Sequence, residues 1–238
     1  ILLAQGYGYA DIDRRTPFTP DTTVIRGKSI SKLFTATAAM QLAEQGKLDL
    51  HTDILEYLPG FPLDRRFPGA VAMTHLLTHT SGFVDRDIGT MAHTPETLSP
   101  LGSYLATRMP PQLFPPGDRI SYTDHGISLA GYVVEAVSGE PLDRYIAEHI
   151  LQPLDMQRST FDQPAPEELT RDRATGYALV GGALEPIVNV GYWNVAPAVA
   201  LQTTAADLAH FVIANLNGGR YGEGRILANF REIPALCR

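Results

Sequence analysis

Residues 29–46, SISKLFTATAAMQLAEQG, place apolar side chains at Leu33, Phe34, Ala36, Met40 and Ala43 and close on Gly46. Spacings of three and four are those of a helix with one face on a core, and a glycine just past the last periodic residue is a common stop. A second run, Ser121 to Gly139, repeats the pattern with Ile127, Ala130, Val133, Val134 and Val137. Two long helices of this strength must pack on something apolar, so they dominate any fold the chain can take. Strand signals are scarce by comparison: residues 1–10, a short TTVIR, and little between them and the far end.

Shorter elements fill the interval. Thr52 or Asp53 is placed to cap ILEYLPG, and Thr74 to cap HLLTH. Pro141 stands at the first position of PLDRYIAEHILQP, and Thr203 or Thr204 at the cap of AADLAHFVIANLNGG, which Gly218 and Gly219 end. Residues 157–200 are rich in Pro and Gly and weakly patterned.

Composition narrows the function classes. With 44% hydrophobic and 19% charged residues, the chain has the make-up of a globular protein. A net charge of −7 with no stripe of Lys and Arg argues against a nucleic-acid partner. The single cysteine, Cys237, excludes an internal disulfide and a Cys-rich metal site. No apolar run approaches the roughly 20 residues that cross a bilayer as a helix. The opening ILLAQGYGYAD has neither Met nor a charged leader, so it is not a signal peptide; it reads as the inside of a strand, which leaves room for a signal or anchor upstream.

Chemistry enters at RGKSISKLF, residues 26–34. On a helix, residues three apart are about 300° around the axis and therefore neighbours on one face. Ser29 and Lys32 meet this condition; Ser31 falls on the other side and reads as a spacer. A lysine can serve as base for a serine hydroxyl, and the helix amino terminus favours the negative charge that develops there. The Ser29 N–H can supply half of an oxyanion hole. The plain alternative is a helix cap beside a solvated lysine, because about one S-x-x-K is expected by chance in a chain of this length. A zinc reading of His75 and His79, four apart, lacks the intervening Glu and a third ligand. No Gly-x-Ser-x-Gly motif occurs.

The wider context resembles the serine β-lactamase and penicillin-binding protein-like family, in its class C β-lactamase, D-alanyl-D-alanine carboxypeptidase and esterase branch. The lead-in and helix through GKLDL, then MTHLLTHTSGF, FPPGDRISYTDHGISLAGYVVEAVSG, PLDMQRSTF and LQTTAADLAHFVIANLNGG follow in that branch's order. The resemblance implies an α/β (α+β) fold, an antiparallel sheet flanked by helices with a mostly helical second lobe. Here residues 1–59 and 201–238 fall on the sheet side and 60–200 in the helical lobe of one domain. It implies Ser29 as nucleophile, Lys32 as its proton partner and Tyr122 as the tyrosine of a Tyr-x-Asn motif. Asp124 takes the place of that motif's substrate-binding asparagine, where a carboxylate would favour the lysine ammonium and work against a base role.

The family's third motif, Lys-Thr-Gly or an equivalent, does not occur, so the chain reads as a fragment with an incomplete sheet that invites self-association. The expected activity is acyl-enzyme hydrolysis of a β-lactam, a D-amino-acid peptide or an ester, without metal or organic cofactor. An impaired remnant with a binding role is the alternative. Family resemblance alone implies a periplasmic or extracytoplasmic location. An aromatic rim from Gly176–Pro197, with Tyr177, Tyr192 and Trp193, is weighed against plain packing.

Overall fold

The computed structural model describes residues 1–187 and 191–228, so Cys237 and the end of the chain lie outside it. Its helices are α1 (Ser31–Glu44), α2 (Met73–Leu77), α3 (Leu101–Arg108) and α4 (Asp124–Ser138), then α5 (Leu142–Ile146), α6 (Glu167–Arg171), α7 (Ala196–Val199) and α8 (Ala205–Leu216). The strands are brief: β1 (Tyr9–Asp11), β2 (Thr16–Pro17), β3 (Ile25–Arg26), β4 (Met91–Ala92) and β5 (Tyr177–Val180), then β6 (Ala183–Pro186), β7 (Tyr192–Trp193), β8 (Gln202–Thr203), β9 (Arg220–Tyr221) and β10 (Gly224–Arg225). They form five antiparallel pairs, β1–β2, β3–β8, β4–β7, β5–β6 and β9–β10. The class is mixed, with small, incomplete sheets, as expected.

The helix α1 lies at the centre. Its core face is Phe34, Ala38, Ala39 and Leu42, all essentially inaccessible, while Leu33 is exposed. Of the expected stripe Phe34 and Met40 are buried and Ala36 and Ala43 half-buried, while Leu33, about 100° round the helix from Phe34, falls on the solvent side. Phe34 stacks on Phe211 of α8 at 4.2 Å and meets Phe161 at 5.9 Å. Two buried threonines of α1 are partnered: Thr35 donates to Pro197 O at 2.8 Å and Thr37 to Leu33 O at 2.8 Å. One apolar cluster joins α1 to α4, α5, α7 and α8.

Several boundaries move for identifiable reasons. Helix α4 starts at Asp124 rather than Ser121, because Thr123 caps it, accepting from Gly126 N. Its far end is as read, with Gly139 left-handed at φ 78°. Thr74 lies inside α2; His75 takes the capping work, its Nδ1 accepting the Ala72 N–H at 3.1 Å. Pro141 precedes α5 instead of opening it, and Thr204, not Thr203, caps α8 by accepting from Asp207 N. The hairpin β5–β6 was missed altogether. Gly181 and Gly182, both at positive φ, make its turn, but Leu179, Val180 and Leu184 are exposed, so no in–out alternation marks it.

Candidate active site

The path into the site is a tight backbone weave. Strand β3 leads into Gly27, whose N–H donates to Leu201 O at 2.8 Å. A Cβ on Gly27 would come within 2.9 Å of the Leu201 side chain, so glycine is what lets the two segments lie this close. Lys28 is then left-handed at φ 47°, which an L-residue adopts at a cost of about 1–2 kcal/mol. Two contacts hold it there. Its carbonyl accepts from Ser31 Oγ at 2.6 Å, and its ammonium lies over the Trp193 ring at 3.9 Å. Ser31 is fully buried and also accepts from Leu201 N at 3.0 Å. It is therefore a structural pin between α1 and the 198–201 segment, not the bare spacer expected from its helical angle.

This weave presents Ser29 to solvent at the head of α1. Ser29 Oγ accepts from Lys32 Nζ at 3.0 Å and from Tyr122 OH at 2.9 Å. Lys32 is buried; its Nζ also donates to Ala198 O at 3.2 Å and lies 2.7 Å from Asp124 Oδ1. That carboxylate oxygen is closed to solvent and takes no aligned hydrogen bond, so its pairing with Lys32 is one of charge. The Lys32 ammonium also lies 4.9 Å from the centre of the Tyr122 ring. Four residues from two distant stretches thus meet around one hydroxyl.

Tyr122 is held by the turn that follows α2. Ser121 N donates to His79 O at 2.7 Å and Thr123 N to His79 Nδ1 at 3.3 Å, clamping the residues on either side of it. The His79 ring packs against the tyrosine ring at 4.3 Å. Gly82, at φ 82°, lets the turn approach Phe114 O, which a Cβ would meet at 1.9 Å. These contacts also dispose of the zinc reading. His79 lies beyond the end of α2, and the Nδ1 atoms of His75 and His79 both accept backbone N–H groups. Asp124 is positioned by its own amide, which donates to Asp85 Oδ1 at 3.0 Å. Ser31, His79, Asp85 and the Ala198 carbonyl were not anticipated; only the HTSG turn offered a sequence signal for any of them.

The aromatic rim is corrected in part. Tyr177 is elsewhere, its hydroxyl accepting from Ile12 N at 2.9 Å, and residues 188–190 lie outside the described chain. Trp193 does border the site, beneath Lys28.

Burial lowers the pKa of His79, reinforced by the Lys32 charge, and burial likewise lowers those of His75 and His125. A neutral His79 is what its accepting Nδ1 requires. The unfolded chain binds protons at these histidines near pH 6.5, and the folded chain binds them only at lower pH. Their contribution to stability is therefore complete above about pH 6.5 and is lost as pH falls below it. Thermal melts at pH 7.5 and 5.5 are expected to differ by at least about 3 °C, the acidic one lower. An equal or higher melting temperature at pH 5.5 contradicts this.

Among known families, the one described as beta-lactamase matches residues 1–233. The protein flp of Staphylococcus aureus (strain MW2) is 28% identical over 221 residues, covering 91% of this chain and 43% of that protein. The structure of an octameric penicillin-binding protein homologue from Pyrococcus abyssi superposes with TM-score 0.78 at 29% identity, covering 98% of this chain and 52% of the other. In fold alone, EstCE1, a hydrolase with promiscuous acyltransferase activity, superposes with TM-score 0.73 at 22% identity, covering 92% and 65%. The chain thus spans about half the length of flp and of the Pyrococcus protein.

Proposed function

The chain belongs to the beta-lactamase family, and on that premise we propose that it acts as a serine hydrolase through an acyl-enzyme on Ser29. The observation that carries this reading is the pair of hydrogen bonds that Lys32 Nζ and Tyr122 OH direct at Ser29 Oγ. In the reaction Tyr122, as phenolate, takes the Ser29 proton while Oγ forms a bond to the substrate carbonyl carbon. The carbonyl electrons move onto oxygen, where the Ser29 N–H and the amino terminus of the helix favour negative charge. As the oxyanion collapses, the bond to the leaving group breaks and Tyr122 returns the proton to it. Water then repeats the sequence on the acyl group, with Ser29 leaving.

Lys32 takes the part that Asp124 beside it implies. Paired with Asp124, it is an ammonium that stabilises the phenolate, which moves the base role to Tyr122. Substrates of the proposed reaction are β-lactams, D-amino-acid peptides or carboxylic esters.

Labelling with a fluorophosphonate tests the proposal. Trypsin releases residues 29–32 as SISK, which contains both serines, so fragmentation of that peptide must place the adduct on Ser29. An adduct on Ser31, or none on folded protein, overturns it. The Lys32–Asp124 pairing favours one second reading, a site that acylates but scarcely turns over. Stoichiometric labelling with ester turnover no faster than deacylation of a denatured adduct would identify that case.

A further inference from the structure

Near the far end of α1 from Ser29, where Gln41 donates to His149 O at 2.9 Å, three potential metal ligands come together. Glu140 stands in the corner between α4 and α5, and Glu148 and His149 in the π-helical turn Ala147–Leu151 that prolongs α5. One ligand atom from each lies within 4.8 Å of the other two. His149 Nε2 is 3.4 Å from Glu140 Oε2. Both atoms are closed to solvent, and neither has a hydrogen-bond partner. We propose that Glu140, Glu148 and His149 bind one divalent transition-metal cation, Zn2+ foremost, which ties the α4–α5 corner to the turn after α5.

The plain alternative is an ion pair between a protonated His149 and Glu140. At 3.4 Å and without alignment that contact satisfies neither atom. A cation held between them satisfies both. With bonds of about 2.0–2.1 Å, tetrahedral zinc holds neighbouring ligands about 3.4 Å apart. One imidazole with two carboxylates suits zinc better than magnesium, which demands six oxygens and keeps its waters. Two carboxylates also balance the charge of the cation beside a neutral imidazole. Arg144 Nε donates to Glu148 Oε1 at 2.8 Å, which orients that carboxylate as outer partners orient metal ligands. The Arg144 side chain is largely exposed, so solvent screens its charge.

A cavity of about 340 Å3, lined by Glu148, His149, Tyr145 and Gln41, gives the cation its way in. Gln41 is only 8% exposed, and its Nε2 donates to His149 O and Ile226 O, yet its Oε1 has no partner. The Tyr145 hydroxyl is unpaired as well. Burial and then the Glu140 charge push it up to about 12, against a smaller pull from Gln45. Waters carried by a cation are the partners that such an acceptor and hydroxyl need. The other charged groups in the walls are already engaged. Arg225 donates to the Leu227 and Ala228 carbonyls, and Glu44 accepts from Ala228 N.

None of Ser29, Lys32, Tyr122 or Asp124 lines this cavity, so the site stands apart from the proposed hydrolysis and is tested without turnover. Zinc chloride is titrated into chelator-stripped protein in competition with a chromophoric zinc indicator. One Zn2+ should bind per chain with Kd of about 10 µM or tighter. At about a hundredfold excess over Kd, zinc should raise the melting temperature by at least about 5 °C, and magnesium at that concentration should not. His149→Ala should weaken zinc at least tenfold; its side chain makes no hydrogen bond, so the fold does not depend on it. Glu140→Gln, which keeps the shape and removes the charge, should do the same, and Cys237→Ser should change nothing. Binding weaker than about 10 µM to the unaltered chain overturns the proposal with no variant needed. Equal stabilisation by magnesium, or unchanged zinc affinity in either folded ligand variant, overturns it too. Zinc binding lost in Cys237→Ser would assign the metal to the thiol and sink this site.

Discussion

Ser29→Ala leaves no fluorophosphonate adduct and lowers ester turnover about a thousandfold or more, since removing a nucleophile that acts as part of a unit removes the whole unit's contribution. Its melting temperature stays close to that of the unaltered chain. The side chain is exposed and only accepts hydrogen bonds, from Lys32 and Tyr122, which keep other contacts in its absence. Ser31→Ala gives the opposite pattern. Ser31 Oγ joins Lys28 O to Leu201 N in a fully buried setting, so its loss leaves two backbone groups without that partner. That costs about 1–3 kcal/mol, and labelling of Ser29 survives. At about 2–4 °C per kcal/mol in a chain of this size, the destabilisation is readily seen in a melt. Two serines two residues apart are thus separated by two measurements. Should Ser31→Ala abolish labelling while Ser29→Ala merely melts early, the site has been assigned to the wrong hydroxyl.

That pair also shows what a sequence can and cannot disclose. The rule of three residues per near-turn picked Ser29 with Lys32, and the structure brings them to 3.0 Å. The same rule could say only that Ser31 points elsewhere, because its partner Leu201 is 170 residues away. Local periodicity carries no information about contacts of that range. Helices α1 and α4 were legible since each has a strong apolar pattern and a terminating glycine. The core register of α1 was not, because a helix buried nearly all round lacks a polar face to set the phase. The strand pairs β3–β8 and β4–β7 are two residues long, too short for any alternation to register. Tyr122 and Asp124 came from resemblance to a motif. What fixes them, the His79 clamp and the Asp85 acceptor, depends on loops meeting in space and left no mark beyond the HTSG turn.

Asp124→Asn raises kcat/KM at neutral pH by about tenfold or more. Lys32 Nζ lies 2.7 Å from Asp124 Oδ1, and the carboxylate offsets part of the positive charge with which the ammonium stabilises the Tyr122 phenolate. Unit charges a few ångströms apart interact by several kcal/mol at an effective dielectric of about 20. The Asp124 side chain is 25% exposed, so solvent screens part of that. About 1.4 kcal/mol is enough for the tenfold effect. Asparagine keeps an oxygen for Lys32 without the charge, so the whole ammonium charge acts on the Tyr122 phenolate. Removing the charge also leaves Lys32 buried with Ser29 Oγ and Ala198 O as its acceptors, so some stability is lost. A melt of the variant separates that loss from the kinetic gain. An unchanged kcat/KM in a folded variant would mean that the carboxylate does not restrain the reaction. Lys32 and Tyr122 would then share the base role irrespective of Asp124, and its place beside the lysine would be one of substrate contact alone.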